Sequence, residues 1–298
     1  MKEKYKALLG LGGTIFLFSF LVIIARFETA ETPQMFLLFL RMVVASICFL
    51  PFFIVRKVWR KPRFNQLIAV SLLSTINVVF FMWGIKYTTA SASQLIYAAQ
   101  PILTIIITSV FYKKKYSRQT VTGVFIGLLG IIFIIYQSAV EKGETISGGL
   151  IGNLAMIVAM FGWLHYIIFS KDFSKDYSPV EIGSTSVLVS LIISGILFFI
   201  QNGLAPVSIT LSPNIILAGI YLGFCGTFLA YLLMQYAIKY LSTLTVNLTS
   251  YVQPVVTAIL AIFLLGEKLT LSFFLGSMLV FFGVFLTATL EFYHRRKV

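Results

Sequence analysis

Long uncharged apolar runs follow one another through nearly the whole chain. Each is long enough to cross the hydrocarbon layer of a membrane, which takes about 20 apolar residues in a helix. The composition agrees, because 59% of the residues are hydrophobic, 11% are charged, and the mean hydropathy is +0.96. These values exclude a water-soluble fold. The sequence predicts an all-α integral membrane protein of ten transmembrane helices, at residues 7–25, 34–55, 64–85, 91–112, 119–139, 149–170, 180–201, 213–238, 244–265 and 270–291.

The basic residues are concentrated in short loops beside these runs. A net charge of +13 would suggest a nucleic-acid partner for a soluble protein, but next to apolar spans it is a topology signal. In the predicted layout, one side of the membrane holds 18 of the 23 Lys and Arg residues. We therefore expect both termini in the cytoplasm, a lipid bilayer as the surroundings, and no nucleic-acid partner. The other side holds Arg26, Lys86, Lys142 and Lys268, and Arg41 lies inside a span.

The chain contains an internal repeat. Residues 84–101 match residues 237–254 without a gap, at a constant offset of 153. The repeat divides the chain into residues 1–140 and 141–298, each with five predicted helices. Because five is odd, the second copy enters the membrane from the opposite side. Inverted-topology repeats of this kind are typical of transporters that work by alternating access around a site near the midplane.

Several motifs in both halves resemble a known family. They are the lysine-rich start, Pro33 eight residues before Arg41, residues 87–92 with Gln100-Pro101, and residues 240–242 with Gln253-Pro254 and 265–270. With these motifs the chain resembles the EamA-type permeases of the drug/metabolite transporter superfamily over essentially its whole length. The resemblance implies ten helices, two EamA repeats, a bacterial inner membrane and, most often, export of amino acids or related small metabolites.

Polar side chains form stripes on several predicted spans. On span four and on span nine, residues at helical spacing share one face that includes a proline. Amides and phenols in a bilayer need partners, which either a hydrated substrate cavity or hydrogen bonds between helices can supply. We favour a cavity and leave the second interpretation open. The candidate substrate-binding residues are Asn77, Gln94, Tyr97, Gln100, Trp163, Tyr166, Tyr231, Gln235, Asn247 and Tyr251, together with Arg41.

Arg41 and two prolines have their own interpretations. Arg41 lies near the middle of its span, and the central parts of the predicted spans contain no Asp or Glu. An arginine there needs water, carbonyls or an anion, so it either binds a substrate carboxylate or has a structural role. Pro101 and Pro254 each remove a backbone donor and expose a carbonyl inside a span. We interpret them as matched hinges, with a simple packing kink as the alternative.

His165 is the other ionisable group inside a predicted span. It could carry a coupling proton, although a neutral, hydrogen-bonded histidine is the simpler interpretation. Enzyme chemistry is not expected, because the sequence has no HExxH motif, no P-loop, no nucleophile elbow and no pair of carboxylates within a span. We accordingly expect neither a cofactor nor a bound metal.

The combined features predict a secondary transporter that moves small metabolites across a bacterial inner membrane by alternating access. The favoured activity is efflux of an amino acid or a related amphipathic metabolite. A carrier for drugs, nucleosides or other cationic or phosphorylated metabolites is the alternative, and a non-transporting receptor or assembly factor is a more remote one. The expected partners are a small-molecule substrate and the bilayer, and the expected state is a monomer or a homodimer.

Overall fold

The computed structural model describes residues 2–28, 32–88, 93, 96–142, 150–204, 212–265 and 271–294. The described residues form helices joined by short connections and contain no strand. A 3₁₀ turn, Val58–Arg60, lies between the second and third helices. The helices are α1 (Lys2–Glu28), α2 (Gln34–Val55), α3 (Phe64–Gly84), α4 (Gln100–Tyr112), α5 (Arg118–Lys142), α6 (Leu150–Phe173), α7 (Pro179–Leu204), α8 (Pro213–Tyr240), α9 (Thr243–Asn247), α10 (Thr249–Leu265) and α11 (Leu271–His294).

The prediction that the apolar runs form helices is confirmed. Six helices in the described part of the chain are long and apolar enough to cross a membrane: α1, α2, α3, α6, α7 and α8. Helices α4, α5 and α11 occupy the predicted spans four, five and ten, and α9 with α10 occupies span nine. In span nine, α9 and α10 are separated by Leu248 alone, which has helical backbone angles and donates its N–H to the Leu244 carbonyl at 3.0 Å, so the two helices follow one another almost continuously.

Helix starts follow the capping chemistry of the sequence. Ser212 precedes Pro213, and its hydroxyl accepts a hydrogen bond from the Ile215 amide at 3.3 Å. Ser242 caps α9 in the same way, accepting from the Thr245 amide at 3.0 Å. A hydroxyl at this position satisfies an amide that has no partner inside the helix. Each of these two helices therefore begins with one of its free amides satisfied.

The helices pack in two groups. Helices α2, α3, α6 and α7 pack side by side, and α1 lies against α8 and α10. The main apolar core, which includes Phe49, Met82 and Ile167, lies between these helices. A second core surrounds Tyr251 and Val280, where α10 meets α5 and α11. The space between the groups is the position at which a polar cavity can form.

Helices α5 and α11 cross at glycines. A Cβ added to Gly123 would lie 2.9 Å from the Gly283 carbonyl oxygen, and one added to Gly130 would lie 2.9 Å from the Gly276 carbonyl oxygen. Without side chains at these positions, the two backbones come into direct contact.

One end of the helix bundle carries the loops rich in Lys and Arg, and we call it the basic end. Lys61, in the α2–α3 loop, forms a 2.8 Å ion pair with Glu181 in the first turn of α7, which is 3% exposed. Tyr177, in the α6–α7 loop, donates a hydrogen bond to the Pro62 carbonyl at 2.9 Å. Burial and the nearby Glu181 raise the pKa of Tyr177, so its hydroxyl remains a donor. The two loops are thus fastened to each other.

The N-terminus of α1 and the C-terminus of α8 meet at the basic end. Tyr236 of α8 hydrogen-bonds to Glu3 of α1, and the Lys171 ammonium of α6 donates to three carbonyls at the end of α8, at 2.5–2.8 Å. A cation satisfies carbonyls that have no amide partner at a helix C-terminus. The N-terminus of α1, both loops and the end of α8 therefore form one closed surface at the basic end.

Candidate substrate cavity

A cavity of about 130 Å³ opens between the two groups of helices. Side chains from α1, α2, α3, α6, α8 and α10 line it, together with residues of span four. On α2 and α3 the lining residues are nearer to the end opposite the basic end, which we call the far end. A cavity of this size with polar walls can hold several water molecules or a small solute. Seven predicted residues line it: Arg41, Asn77, Tyr97, Gln100, Trp163, Tyr231 and the hinge residue Pro254.

Arg41 is buried at the wall of this cavity, with 5% of its surface exposed. Its Nε donates a 2.6 Å hydrogen bond to the hydroxyl of Thr227 on α8. Among the described residues no carboxylate forms an ion pair with it, and its one hydrogen bond to a side chain is the bond to Thr227. The two terminal amino groups of the guanidinium therefore keep donors for an acceptor in the cavity.

Thr227, the partner of this arginine, lies in a segment of α8 that is not an ordinary α-helix. The turn from Tyr221 to Leu229 is a π-helix, in which the backbone is wider than in an α-helix. The Thr227 hydroxyl accepts from Arg41 and donates to the Leu222 carbonyl, five residues earlier, at 2.7 Å. The hydroxyl is thus fixed as an acceptor for the guanidinium, which orients the remaining N–H groups.

Aromatic rings form much of the cavity wall. The Trp163 ring lies 5.7 Å from the Tyr231 ring and 6.1 Å from the Phe18 ring, both in edge contacts. Phe81 and Tyr97 form another edge pair at 6.1 Å. Ring faces accept apolar groups and also attract cations. The wall can therefore contact an apolar side chain or an ammonium group.

Two carbonyls at the cavity lack their helical partners. A proline has no N–H, so the residue four positions before it cannot receive the usual i+4 hydrogen bond. Pro101 has this effect on Tyr97, and Pro254 has it on Ser250. Both residues line the cavity, and they are equivalent at the repeat offset of 153. Each half of the chain therefore presents one carbonyl acceptor near the cavity.

Other polar groups at the cavity pair with one another. The Asn77 amide donates to the Tyr97 hydroxyl at 2.6 Å and to the Ala159 carbonyl at 2.9 Å. The Tyr231 hydroxyl shares a 3.0 Å hydrogen bond with Ser74. These bonds fix the orientation of the lining groups before a ligand arrives, which reduces the entropy cost of binding.

Four predicted residues lie away from the cavity lining. Asn247 donates to the Thr104 hydroxyl at 2.8 Å, and Tyr251 donates to the Val124 carbonyl at 3.1 Å. Tyr166 and Gln235 hydrogen-bond to each other at 2.7 Å. In this state these four side chains hydrogen-bond between helices, and their part in binding a substrate stays a prediction. Gln94 lies outside the described residues.

The structure places Pro101 at the start of α4 and Pro254 inside α10. A proline is well tolerated in the first turn of a helix. Pro254, in contrast, lies inside α10, next to the cavity. The two matched residues thus differ in local role, and hinge motion at either one remains a prediction.

His165 faces away from the cavity. It is partly exposed between the exposed rings of Phe161 and Phe169, at 6.1 and 6.0 Å, on the outer surface of α6. Its Nδ1–H donates to the Phe161 carbonyl at 2.8 Å. This position does not connect it with the cavity, and the ring is hydrogen-bonded within its own helix.

We expect His165→Ala to leave transport and its response to a pH gradient unchanged. A substitution on an exposed helix face away from other polar groups changes free energies by about 0.5 kcal/mol or less, which is about a twofold effect. Uptake by membrane vesicles over a range of imposed pH gradients measures this. A variant that transports normally without a gradient but no longer responds to one would restore the proton-coupling hypothesis.

Several lining residues were not predicted from the sequence. Phe18, Leu21 and Val22 of α1 line the cavity, but an apolar residue on a membrane helix carries no sign of which way it faces. Gln253 also lines it, and here a signal existed, because it is the repeat equivalent of the predicted Gln100. Comparing the two halves residue by residue would have found it.

The comparisons with known proteins identify the family. Two segments of the chain, residues 5–136 and 150–289, match the EamA-like transporter family. The chain belongs to this family. The transporter is therefore a membrane transport protein of the drug/metabolite transporter superfamily, and not an enzyme.

Individual relatives of this EamA-like transporter are distant. The "Uncharacterized transporter YyaM" of Bacillus subtilis is 28% identical over 216 residues, which cover 72% of this chain and 68% of that protein. An "Uncharacterized transporter" of Archaeoglobus fulgidus is 25% identical over 291 residues, which cover 96% of this chain and 98% of that protein. A solved structure described as "Crystal structure of protein" has a TM-score of 0.78 at 17% identity, with 95% of this chain and 96% of the other covered, and thus shares the fold.

Proposed function

We propose that this transporter exports amino acids or closely related carboxylate-bearing metabolites across a bacterial inner membrane. The observation that carries the proposal is Arg41, which is buried at the cavity with donors directed at no carboxylate of the described chain. A buried guanidinium without a counter-ion is costly, and a ligand carboxylate supplies both the charge and two parallel acceptors. The substrate thereby completes the site.

The rest of the cavity supports a zwitterion. An α-ammonium group needs acceptors or ring faces, and the cavity has the carbonyls of Tyr97 and Ser250 and the rings of Trp163 and Phe81. An apolar side chain can contact Leu21 and Val22 of α1. A purely cationic drug would be repelled by Arg41, and one arginine is a poor match for a phosphate dianion.

We also propose that the two halves are inverted repeats of five helices each, residues 1–140 and 141–298, and that transport proceeds by alternating access. The two family matches, one in each half, support this. The α5–α11 contact supports it as well, because the repeat offset pairs Gly123 with Gly276 and Gly130 with Gly283. Exchanging the halves converts the contact Gly123–Gly283 into Gly276–Gly130, which is also present.

In this arrangement the basic end faces the cytoplasm, in agreement with the positive-inside rule, and both termini lie on that side. The ion pair and the hydrogen bond between the loops at the basic end fit a state that is closed toward the cytoplasm. Since the chain carries no P-loop, an ion or substrate gradient supplies the energy.

Counterflow in proteoliposomes tests the proposal. Vesicles loaded with one L-amino acid and containing the purified protein should accumulate the same labelled compound, and protein-free vesicles should not. A matched pair, such as leucine and isopentylamine, tests carboxylate recognition. We expect the amine to be transported about 10-fold or more slowly, because it lacks the charge-assisted hydrogen bonds to Arg41, worth about 1.5–3 kcal/mol. Equal rates would contradict carboxylate recognition, and no counterflow with any common amino acid would exclude this substrate class.

A further inference from the structure

A group of buried polar side chains lies between the cavity and the basic end. We call Ser71, Tyr166, Ser186 and Gln235, from α3, α6, α7 and α8, the inner polar cluster. Gln235 donates to the Tyr166 hydroxyl at 2.7 Å, which shares a 2.8 Å bond with Ser186, and Ser186 contacts Ser71 at 3.2 Å. All four residues are 1% exposed or less. Four helices thus meet at a single hydrogen-bonded group.

The cluster continues the line of the cavity toward the basic end. Tyr231, which lines the cavity, is one helical turn before Gln235 on α8, and its ring lies 6.4 Å from that of Tyr166. Ser71 and Ser186 are each seven residues from the basic end of their helices, which is about 10 Å along the axis. The Lys61–Glu181 ion pair lies at that end, in the α2–α3 loop and the first turn of α7.

The cluster is not fully satisfied in this closed arrangement. The Gln235 Oε1 atom is buried without a hydrogen-bond partner among the described residues. An unpaired buried acceptor costs about 1–3 kcal/mol, and helix packing alone would be served better by apolar residues. This atom lies close to Tyr166, because the same amide group donates to the Tyr166 hydroxyl. The unused acceptor of Gln235 therefore indicates a hydrogen-bond donor that arrives in another state.

The internal repeat relates this region to the cavity. The offset of 153 carries Val78, which lines the cavity, onto Tyr231, and carries Met82 onto Gln235. Matching Pro33 with Pro179 carries Arg41 onto Val187, the neighbour of Ser186. The repeat equivalents of Ser186 and Gln235 are Leu40 and Met82, which are the sequence neighbours of Arg41 and Phe81 in the cavity wall. Exchange of conformations between the halves would open the cluster toward the basic end.

We propose that the inner polar cluster lines a second, cytoplasm-facing binding cavity, where Gln235 Oε1 accepts a hydrogen bond from the ammonium group of the amino-acid substrate. This proposal rests on the proposed function. The second cavity is uncharged, because Val187 stands at the repeat equivalent of Arg41. The second cavity therefore offers the substrate uncharged hydrogen-bond partners, the amide of Gln235 and the hydroxyls around Tyr166.

Thiol labelling from the cytoplasmic side tests the second cavity. The chain has two cysteines, so Cys48→Ser with Cys225→Ser gives a cysteine-free background. In it, Ser186→Cys is compared with Ser184→Cys, which is equally buried, closer to the basic end, and bonded to the Glu181 carbonyl of its own helix. Two residues apart on a helix, the two side chains point in nearly opposite directions. The probe is a charged, membrane-impermeant methanethiosulfonate applied to inside-out vesicles.

We expect Ser186→Cys to react about tenfold faster than Ser184→Cys, since labelling of a buried thiol follows the population of the open state. Excess leucine should slow the reaction by occupying the cavity. Ser71→Cys is the second variant and should behave like Ser186→Cys, so that a folding defect in one does not decide the result. Labelling of both at the rate of Ser184→Cys, in protein that still performs counterflow, would overturn the second cavity. Rapid labelling without amino-acid counterflow would instead support the cavity and count against the proposed substrate class.

Discussion

We expect Arg41→Lys to lower the affinity for a carboxylate-bearing substrate by about 10- to 100-fold, which corresponds to the loss of a charge-assisted hydrogen bond of about 1.5–3 kcal/mol. Lysine keeps the positive charge but lacks the planar guanidinium group with its parallel N–H donors. In the native protein Nε is held by Thr227 at 2.6 Å, while the other nitrogens remain for the ligand. A single ammonium cannot make both sets of contacts in the same geometry. Counterflow measured over a range of substrate concentrations gives the change.

A matched substitution controls for the general effect of exchanging arginine for lysine. Arg60 is exposed at the basic end, so Arg60→Lys should transport at the native rate. The thermal unfolding of Arg41→Lys in detergent shows whether the fold survives. If a folded Arg41→Lys variant kept native affinity for leucine, Arg41 would not bind the substrate, and its role would be structural.

The helices could be predicted from the sequence because the length of each apolar run determines them. A run of about 20 apolar residues has few alternatives to a membrane helix, since backbone groups in hydrocarbon must be paired within the segment. Short connections then restrict which helices are neighbours.

The predicted face of span nine lies only partly at the cavity. Helical spacing places Asn247, Tyr251 and Pro254 on one face. In the structure Pro254 lines the cavity, whereas Asn247 and Tyr251 bond to α4 and α5. Tyr251 fits against Gly127, where a Cβ would come within 2.7 Å of its ring. The direction of a polar side chain thus depends on a partner in the other half, which local spacing does not contain.

The orientation of Arg41 was also beyond the reach of the sequence. Its position inside a span without nearby acids is visible in the sequence, and it motivated the anion hypothesis. Its partner Thr227, however, lies 186 residues away, on a π-helical turn for which we find no sequence signal. The sequence therefore predicts which residue types belong to the candidate site. The direction of the Arg41 side chain depends on how α2 packs against α8, which the sequence does not show.

Gly283→Ala tests the close contact between α5 and α11, and we expect a large loss of stability. The added Cβ would lie 2.5 Å from the Gly127 nitrogen and 2.5 Å from the Gly123 carbonyl oxygen. Both are backbone atoms, which cannot rotate away as a side chain can, so the helices must separate. Overpacking of this kind costs about 1–3 kcal/mol or more, which corresponds to a melting temperature about 5–10 °C lower. Thermal unfolding of the purified protein in detergent measures the shift.

The control is Gly12→Ala on α1, where an added Cβ would meet no atom within 4 Å. Alanine has a higher helix propensity than glycine by about 0.8–1.0 kcal/mol, so this substitution should keep or raise the melting temperature. The two variants make the same chemical change inside a helix and differ in what surrounds the new methyl group. A lower melting temperature for Gly283→Ala alone would therefore assign the loss to the α5–α11 contact. Equal melting temperatures would mean that the two helices can separate without cost, and the two halves would then not be held together at this crossing.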